Sequence, residues 1–142
     1  VQKIFAIKGR EIGKSALMVA SDIEIVKQYV EWNDIANKLA EKYWSPVVRP
    51  RRTKGGKPGA LTMVLSMRGP SRSLAEGVIS KDGTAAFRVT SHPFAHALAK
   101  VLGRPIVSTS ANIAGGPNPY MIEAILEAFE KKDMKPDIVI GA

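Results

Sequence analysis

A chain of 142 residues fits one domain, or part of one, and has no room for two full-sized cores. With 45% hydrophobic and 24% charged residues it is not a disordered chain, and the lack of cysteine excludes a disulfide scaffold or a thiolate metal site. A net charge of +8 suits a polyanionic partner (nucleotide, RNA or membrane surface) without choosing among them.

The first residues read as the last turns of a helix, with Ile4, Phe5 and Ile7 apolar and Gly9 closing it. They lack the apolar core of a signal peptide, so a cytoplasmic location is the default expectation; a start on Val1 suggests that the natural chain begins upstream. Ser15 to Ala20 reads as a buried strand. Ser21-Asp-Ile-Glu24 is a capping box that opens a helix with Ile23, Val26 and Val30 on one face. A second helix spans Asn33 to Tyr43, with Ile35, Leu39 and Tyr43 inward.

Ser45 to Pro58 is basic, proline-rich and aperiodic, which predicts a loop. Ala60 to Met67 resumes as a strand, and its apolar run is far short of the roughly 20 residues that cross a bilayer. An irregular stretch, Gly69 to Gly83, leads to a strand at Thr84–Val89, with Phe87 and Val89 on one face. Pro93 starts a helix with Phe94, Leu98, Val101 and Leu102 as its core face, and Gly103 ends it. Pro105 to Ser108 is a buried strand, followed by a Gly-rich turn from Ala111 to Pro117. Asn118 and Pro119 cap a helix with Met121, Ile122, Ile125, Leu126 and Phe129 inward, and Asp137–Ile140 is a last strand. Helices interleaved with strands predict a single α/β domain, with helices packed on a twisted sheet.

Gly9 to Ser15 imitates a phosphate-binding P-loop but has three residues between its glycines where four are required, and it follows a helix instead of a strand. Lys8-Gly9-Arg10 places two cations either side of a glycine, a fork and a point charge for an anion; taken alone, basic residues at a helix C-terminus simply complement its dipole. Ser108-Thr109-Ser110-Ala111-Asn112, before Gly115-Gly116, sits beyond the end of a strand, where open α/β sheets bind ligands; a plain Asn/Gly/Ser connection fits equally well. Arg88 in an apolar strand either reaches solvent or pairs with an anion. His92 and His96 have metal-compatible spacing without a third ligand, so His92 is assigned to the helix start, and Trp32 and Trp44 to the core or its margin.

These clusters occur in an order that resembles the YrdC-like family, whose best-known members are threonylcarbamoyl-adenylate synthases. The resemblance rests on KGR at 8–10, YW and PGALT at 43–44 and 58–62, AFRVTSHP at 86–93 and STSANIAGGPNP at 108–119. It implies a YrdC-like α/β fold with a mixed sheet, and a nucleotidyltransferase that forms threonylcarbamoyl-adenylate from L-threonine, bicarbonate and ATP. The product serves t6A modification of tRNA through a separate transferase. The signature tetrad falls on Lys8, Arg10, Ser110 and Asn112, with Thr109 beside them. Thr62 matches the amino-acid end of the site, and Arg88 and His92 match recurrent positions without an assigned role. Mg2+ is expected to accompany ATP, with no metal ligand from the protein and no nucleophile required.

Against the family pattern, the opening strand with its Pro-Thr-Asp-Thr segment and the C-terminal end are missing, so residues 1–142 represent a partial domain. A basic insertion occupies 45–57, and Glu11 and Ser15 stand where prolines are usual. Five of the cations (Arg49, Arg51, Arg52, Lys54 and Lys57) lie in that insertion, leaving the rest only mildly basic. Two alternatives remain: a module for tRNA or double-stranded RNA using the basic loop, and the carbamoyl-adenylate domain of a hydrogenase-maturation carbamoyltransferase.

Overall fold

The strand expected first occupies the middle of the sheet. In the computed structural model, which describes residues 1–9, 15–44, 61–69 and 74–141, β1 (Leu17–Ala20) pairs in parallel with β3 (Thr84–Val89) and antiparallel with β4 (Ile106–Ser108). Strand β2 (Met63–Ser66) adds antiparallel to the far side of β3, giving the order β2-β3-β1-β4. The sheet is therefore mixed. Five helices accompany it among the described residues: α1 (Gln2–Lys8), α2 (Ile23–Lys27), α3 (Asp34–Tyr43), α4 (Pro93–Leu102) and α5 (Ile122–Glu130).

Alternation along the strands divides the sheet into two unlike faces. Met18, Ala20, Met63, Ala85, Phe87 and Val89 turn to one side and build the core with Phe5, Val26, Val30, Ala40, Trp44 and Val78. Phe87 is wholly buried and stacks on Tyr29 with ring centroids 6.4 Å apart. The opposite face carries Thr62, Val64, Ala86, Arg88, Leu17, Ile106 and Ser108, half-buried or exposed, around a buried Val19. Trp44 is in the core, as its position suggested. Its indole Nε1 donates to the Leu61 carbonyl at 2.8 Å, and Trp32 lies 6.3 Å away. The expected loop at Ser45–Pro58 lies outside the described residues, as do Gly13 and the rest of the P-loop imitation between Arg10 and Lys14.

Several local expectations are corrected. The cap of α2 is Asp22, whose carboxylate accepts from the Ile25 N–H at 2.9 Å, while Ser21 is buried and donates to Asp22. Glu24 pairs with Lys27 instead of reaching back. Helix α3 buries Ala36 and Ala40, with Leu39 and Tyr43 at the margin; Ile35 is 70% exposed. Helix α4 does the same more strongly. It packs on β1 and buries Ala99, so the wider residues Phe94, Leu98, Val101 and Leu102 are turned away from the sheet. In both helices the small side chains let the backbone come close, and that contact outweighs the wider apolar stripe. Helix α5 buries Phe129 and half-buries Ile122 and Ile125, but Met121 and Leu126 are exposed; its N-cap is Met121, with no side-chain cap from Asn118. Asp137–Ile140 forms no strand, and Ile138 is 78% exposed. Among the described residues no helix is long and apolar enough to cross a membrane.

Two tight turns frame the sheet. Asp82 accepts from Ser80 and Thr84, and these hydrogen bonds, the one from Ser80 foremost, hold its carboxyl below the usual range. Gly77 has a φ of +90°, and a Cβ built on it would stand 2.6 Å from Cε2 of the buried Phe5 ring. Its carbonyl also accepts the Ala16 N–H at 2.9 Å, joining this turn to the start of β1. Replacing Gly77 by Ala combines left-handed strain with a clash, so it is expected to cost about 2 kcal/mol. Urea unfolding of Gly77→Ala beside a Gly83→Ala control, whose Cβ would meet nothing within 4 Å, separates the clash from the backbone strain.

Candidate functional site

Helix α1 ends at Gly9, whose left-handed φ of 63° lets its N–H return to the carbonyls of Phe5 and Ala6. The residue before it is turned inward. Lys8 is only 5% exposed, and its Nζ donates to the carbonyls of Ser110 (2.5 Å) and Asn112 (2.6 Å) and to Asn112 Oδ1 (3.0 Å). The Lys8 carbonyl in turn accepts from the Ala114 N–H at 2.9 Å. The turn is closed from within as well: Ser110 Oγ donates to Asn112 Oδ1 at 2.6 Å, and Asn112 Nδ2 donates to the Gly116 carbonyl at 2.7 Å. Lys8, more than a hundred positions away in the chain, thus forms one unit with Ser110 and Asn112. Ala114 and Gly116 belong to it through their backbone alone. Only the glycine-rich composition of the turn hinted at their place, since a backbone partner leaves no side-chain signature.

A second pair lies further along the sheet. Arg88 Nε and Nη2 donate to Thr62 Oγ1 at 2.9 and 2.7 Å, holding the guanidinium on the open face beside the start of β2. Arg88 is in register with Val19, and Val19 with Ile106. Ser108, at the end of β4, is therefore displaced about 7 Å along the strands and about 10 Å across them, and the Ser110 turn follows it. Arg88 uses two of its five N–H donors on Thr62.

The remaining expected residues divide. Thr109 and Ser110 are exposed beside the turn. His92 caps α4, its Nδ1 accepting the Ala95 N–H at 3.5 Å, while its own N–H donates to Thr90 Oγ1 at 3.1 Å. Arg10 lies outside the described residues. Among the described residues no three His, Asp or Glu side chains converge in a metal-binding group. The placement of the serine-rich turn also differs from the crevice rule. Because β4 runs antiparallel to β1, the turn sits at the amino-terminal ends of β1 and β3, beside the end of α1, and not at their carboxyl ends.

Comparison with known proteins matches residues 1–138 to the Sua5/YciO/YrdC family, described as telomere recombination. The chain belongs to this family. Threonylcarbamoyl-AMP synthase of Buchnera aphidicola subsp. Acyrthosiphon pisum is 31% identical over 134 residues, covering 92% of this chain and 67% of its relative. That of Nitrosococcus oceani is 32% identical over 118 residues, covering 82% and 55%. The chain spans about half to two thirds of the length of these curated relatives. Among solved structures of the Sua5/YciO/YrdC type, P. abyssi Sua5 complexed with L-threonine superposes with a TM-score of 0.72 at 27% identity, covering 90% of this chain and 33% of that one. Full-length HypF in its phosphate- and nucleotide-bound form gives 0.66 at 25% identity, covering 91% of this chain and 18% of that one. The mixed sheet and packed helices expected from the sequence are thus those of the family.

Proposed function

We propose that this chain carries the site of an L-threonylcarbamoyladenylate synthase, a nucleotidyltransferase that makes threonylcarbamoyl-AMP for tRNA modification from L-threonine, bicarbonate and ATP. The observation that carries the reading is the Lys8-tied Ser110–Asn112 turn beyond β4, together with the Arg88–Thr62 pair on the sheet, in a chain whose relatives bear that name. The threonine amine combines with CO2 from bicarbonate to give a carbamate. A carbamate oxygen then attacks the α-phosphorus of ATP, the bond from that phosphorus to the bridging oxygen breaks, and pyrophosphate leaves. Such transfer needs in-line positioning and donors around the phosphates more than covalent help.

On this reading the turn with Thr109, Ser110 and Asn112, together with Arg10, receives the phosphates of ATP. Arg88, steadied by Thr62, meets the threonine carboxylate with its remaining donors. His92 serves the helix start and stays outside the chemistry. A Mg2+ arriving with ATP would be carried on phosphate oxygens and water. It would offset charge on the phosphates.

The test is incorporation of labelled bicarbonate into an adenylate in the presence of threonine and ATP, with pyrophosphate measured alongside. Arg88→Ala is expected to raise KM for threonine about tenfold with little change in KM for ATP, as loss of a charge-assisted carboxylate contact would. Labelled adenylate formed without threonine from carbamoyl phosphate would instead support the carbamoyl-adenylate chemistry. No threonine-dependent pyrophosphate release refutes the reading.

A further inference from the structure

Helix α5 fully buries only Phe129. Its outer flank and the tail that follows it form the walls of a groove of about 500 Å3, in which Leu126 and Val139 are exposed. The tail is held in place by Lys3, whose Nζ donates to both carboxylate oxygens of Asp137 at 2.5 and 2.6 Å. Tyr120, Met121, Leu126, Ile138, Val139 and Ile140 are all exposed on α5, its lead-in and the tail. At about 100 Å2 each they offer about 600 Å2 of apolar surface, at the upper end of the patches that monomers show. With charged neighbours added, this approaches the roughly 800 Å2 that a standard interface takes from each partner.

The charges beside that surface follow a four-residue spacing and change sign half-way: Glu123, Glu127, Lys131, Lys135. Residues four apart lie on one side of a helix. Lys131 caps α5, and Glu123, Glu127 and Lys135 line the groove. Among the described residues none of the four has an ion-pair partner within the chain. Two negative charges followed by two positive ones are their own complement when reversed. A second α5 laid antiparallel, with a two-fold axis at the level of Phe129, sets Glu127 against Lys131 of the second copy and Glu123 against its Lys135. Each pair then occurs twice, and Glu130 falls opposite Ala128. A parallel α5 would oppose like charges.

We propose that the α5 face docks a second copy of this chain as an isologous dimer, with Leu126 and Val139 of each copy in the other's groove and the charge ladder setting the antiparallel direction. The docking is independent of the adenylate reading, and it is read as mass and not as turnover.

Sedimentation equilibrium of the full chain is expected to show a reversible monomer–dimer equilibrium in the micromolar range. Glu127→Lys is expected to weaken it about tenfold by placing like charges together. Adding Lys131→Glu to Glu127→Lys is expected to restore it to within about threefold. Leu126→Asp should leave monomer alone. Glu31→Lys, the same charge change on an exposed residue outside α5, should change nothing. A chain that stays monomeric, or a dimer that Glu127→Lys leaves intact, overturns the proposal. So does failure of the exchanged pair to restore the dimer, or equal weakening by Glu31→Lys, whether or not Leu126→Asp folds.

Discussion

Replacing Asn112 by Ala is expected to lower kcat/KM for ATP about 100-fold, equivalent to about 2.7 kcal/mol of transition-state stabilisation. The side chain accepts from Lys8 and Ser110 through Oδ1 and donates to the Gly116 carbonyl through Nδ2. Its loss takes one acceptor from a buried lysine and frees both ends of the turn together. Hydrogen bonds to charged groups contribute about 1.5–3 kcal/mol, so stability should fall by about 2 kcal/mol as well. Asn112→Asp separates the two effects. It keeps an acceptor for Lys8 and should recover most of the stability. It also sets a carboxylate oxygen against the Gly116 carbonyl and adds negative charge where the proposed function places the phosphates, so activity should stay low. Urea unfolding and steady-state kinetics on the two variants check this. Equal activity in Asn112→Asp and the parent chain would show that the turn does not meet the phosphates.

Phe87→Ala is expected to have the largest effect on folding. Phe87 is fully buried on β3, between Met63 and Met18 in register, with Tyr29 stacked over it. Truncating such a ring costs about 3–5 kcal/mol, a large share of the roughly 5–15 kcal/mol that stabilises a domain. With a slope of about 2 kcal/mol/M, the urea midpoint should drop by about 2 M. Val64→Ala on the open face, where Val64 is 64% exposed, should move it by less than about 0.3 M. If the two variants shift the midpoint alike, the division of the sheet into a core face and an open face is wrong.

The strands and helix spans were legible because their signals are local. Apolar runs marked β1 and β3, Pro93 and Gly103 bracketed α4, and Asn33 capped α3, accepting from the Ala36 N–H at 2.8 Å. The faces of the helices were less legible. A periodic stripe says which side is apolar, but Ala36, Ala40 and Ala99 took the buried positions because close approach favours the smallest side chain. The final run Asp137–Ile140 had strand composition, but a strand exists only with a partner, and composition does not supply one.

The clustering of these residues was legible, but not the contacts they make. Lys8, Ser110 and Asn112 were grouped through the resemblance, and the structure does bring them together. The cation facing inward could not be read from residue types, since a lysine at a helix end serves a dipole, a ligand or a carbonyl equally well. The Thr62–Arg88 pair follows from antiparallel register, which appears only once β2 and β3 are aligned.

The path of the chain has a kinetic consequence. Among the described residues no two sequence-consecutive strands of the sheet form a tight hairpin; Met18 meets Phe87 and Val107, and Lys8 reaches Asn112 across 104 residues. Closing loops of that length is slow to be rewarded, because their entropy is lost before the contacts form. Lys8 and its turn therefore belong to the late-forming, high-contact-order part of the molecule. A partly folded chain can hold its helices before Lys8 meets its turn, so protection of the Lys8 contacts from exchange would report completion of the sheet.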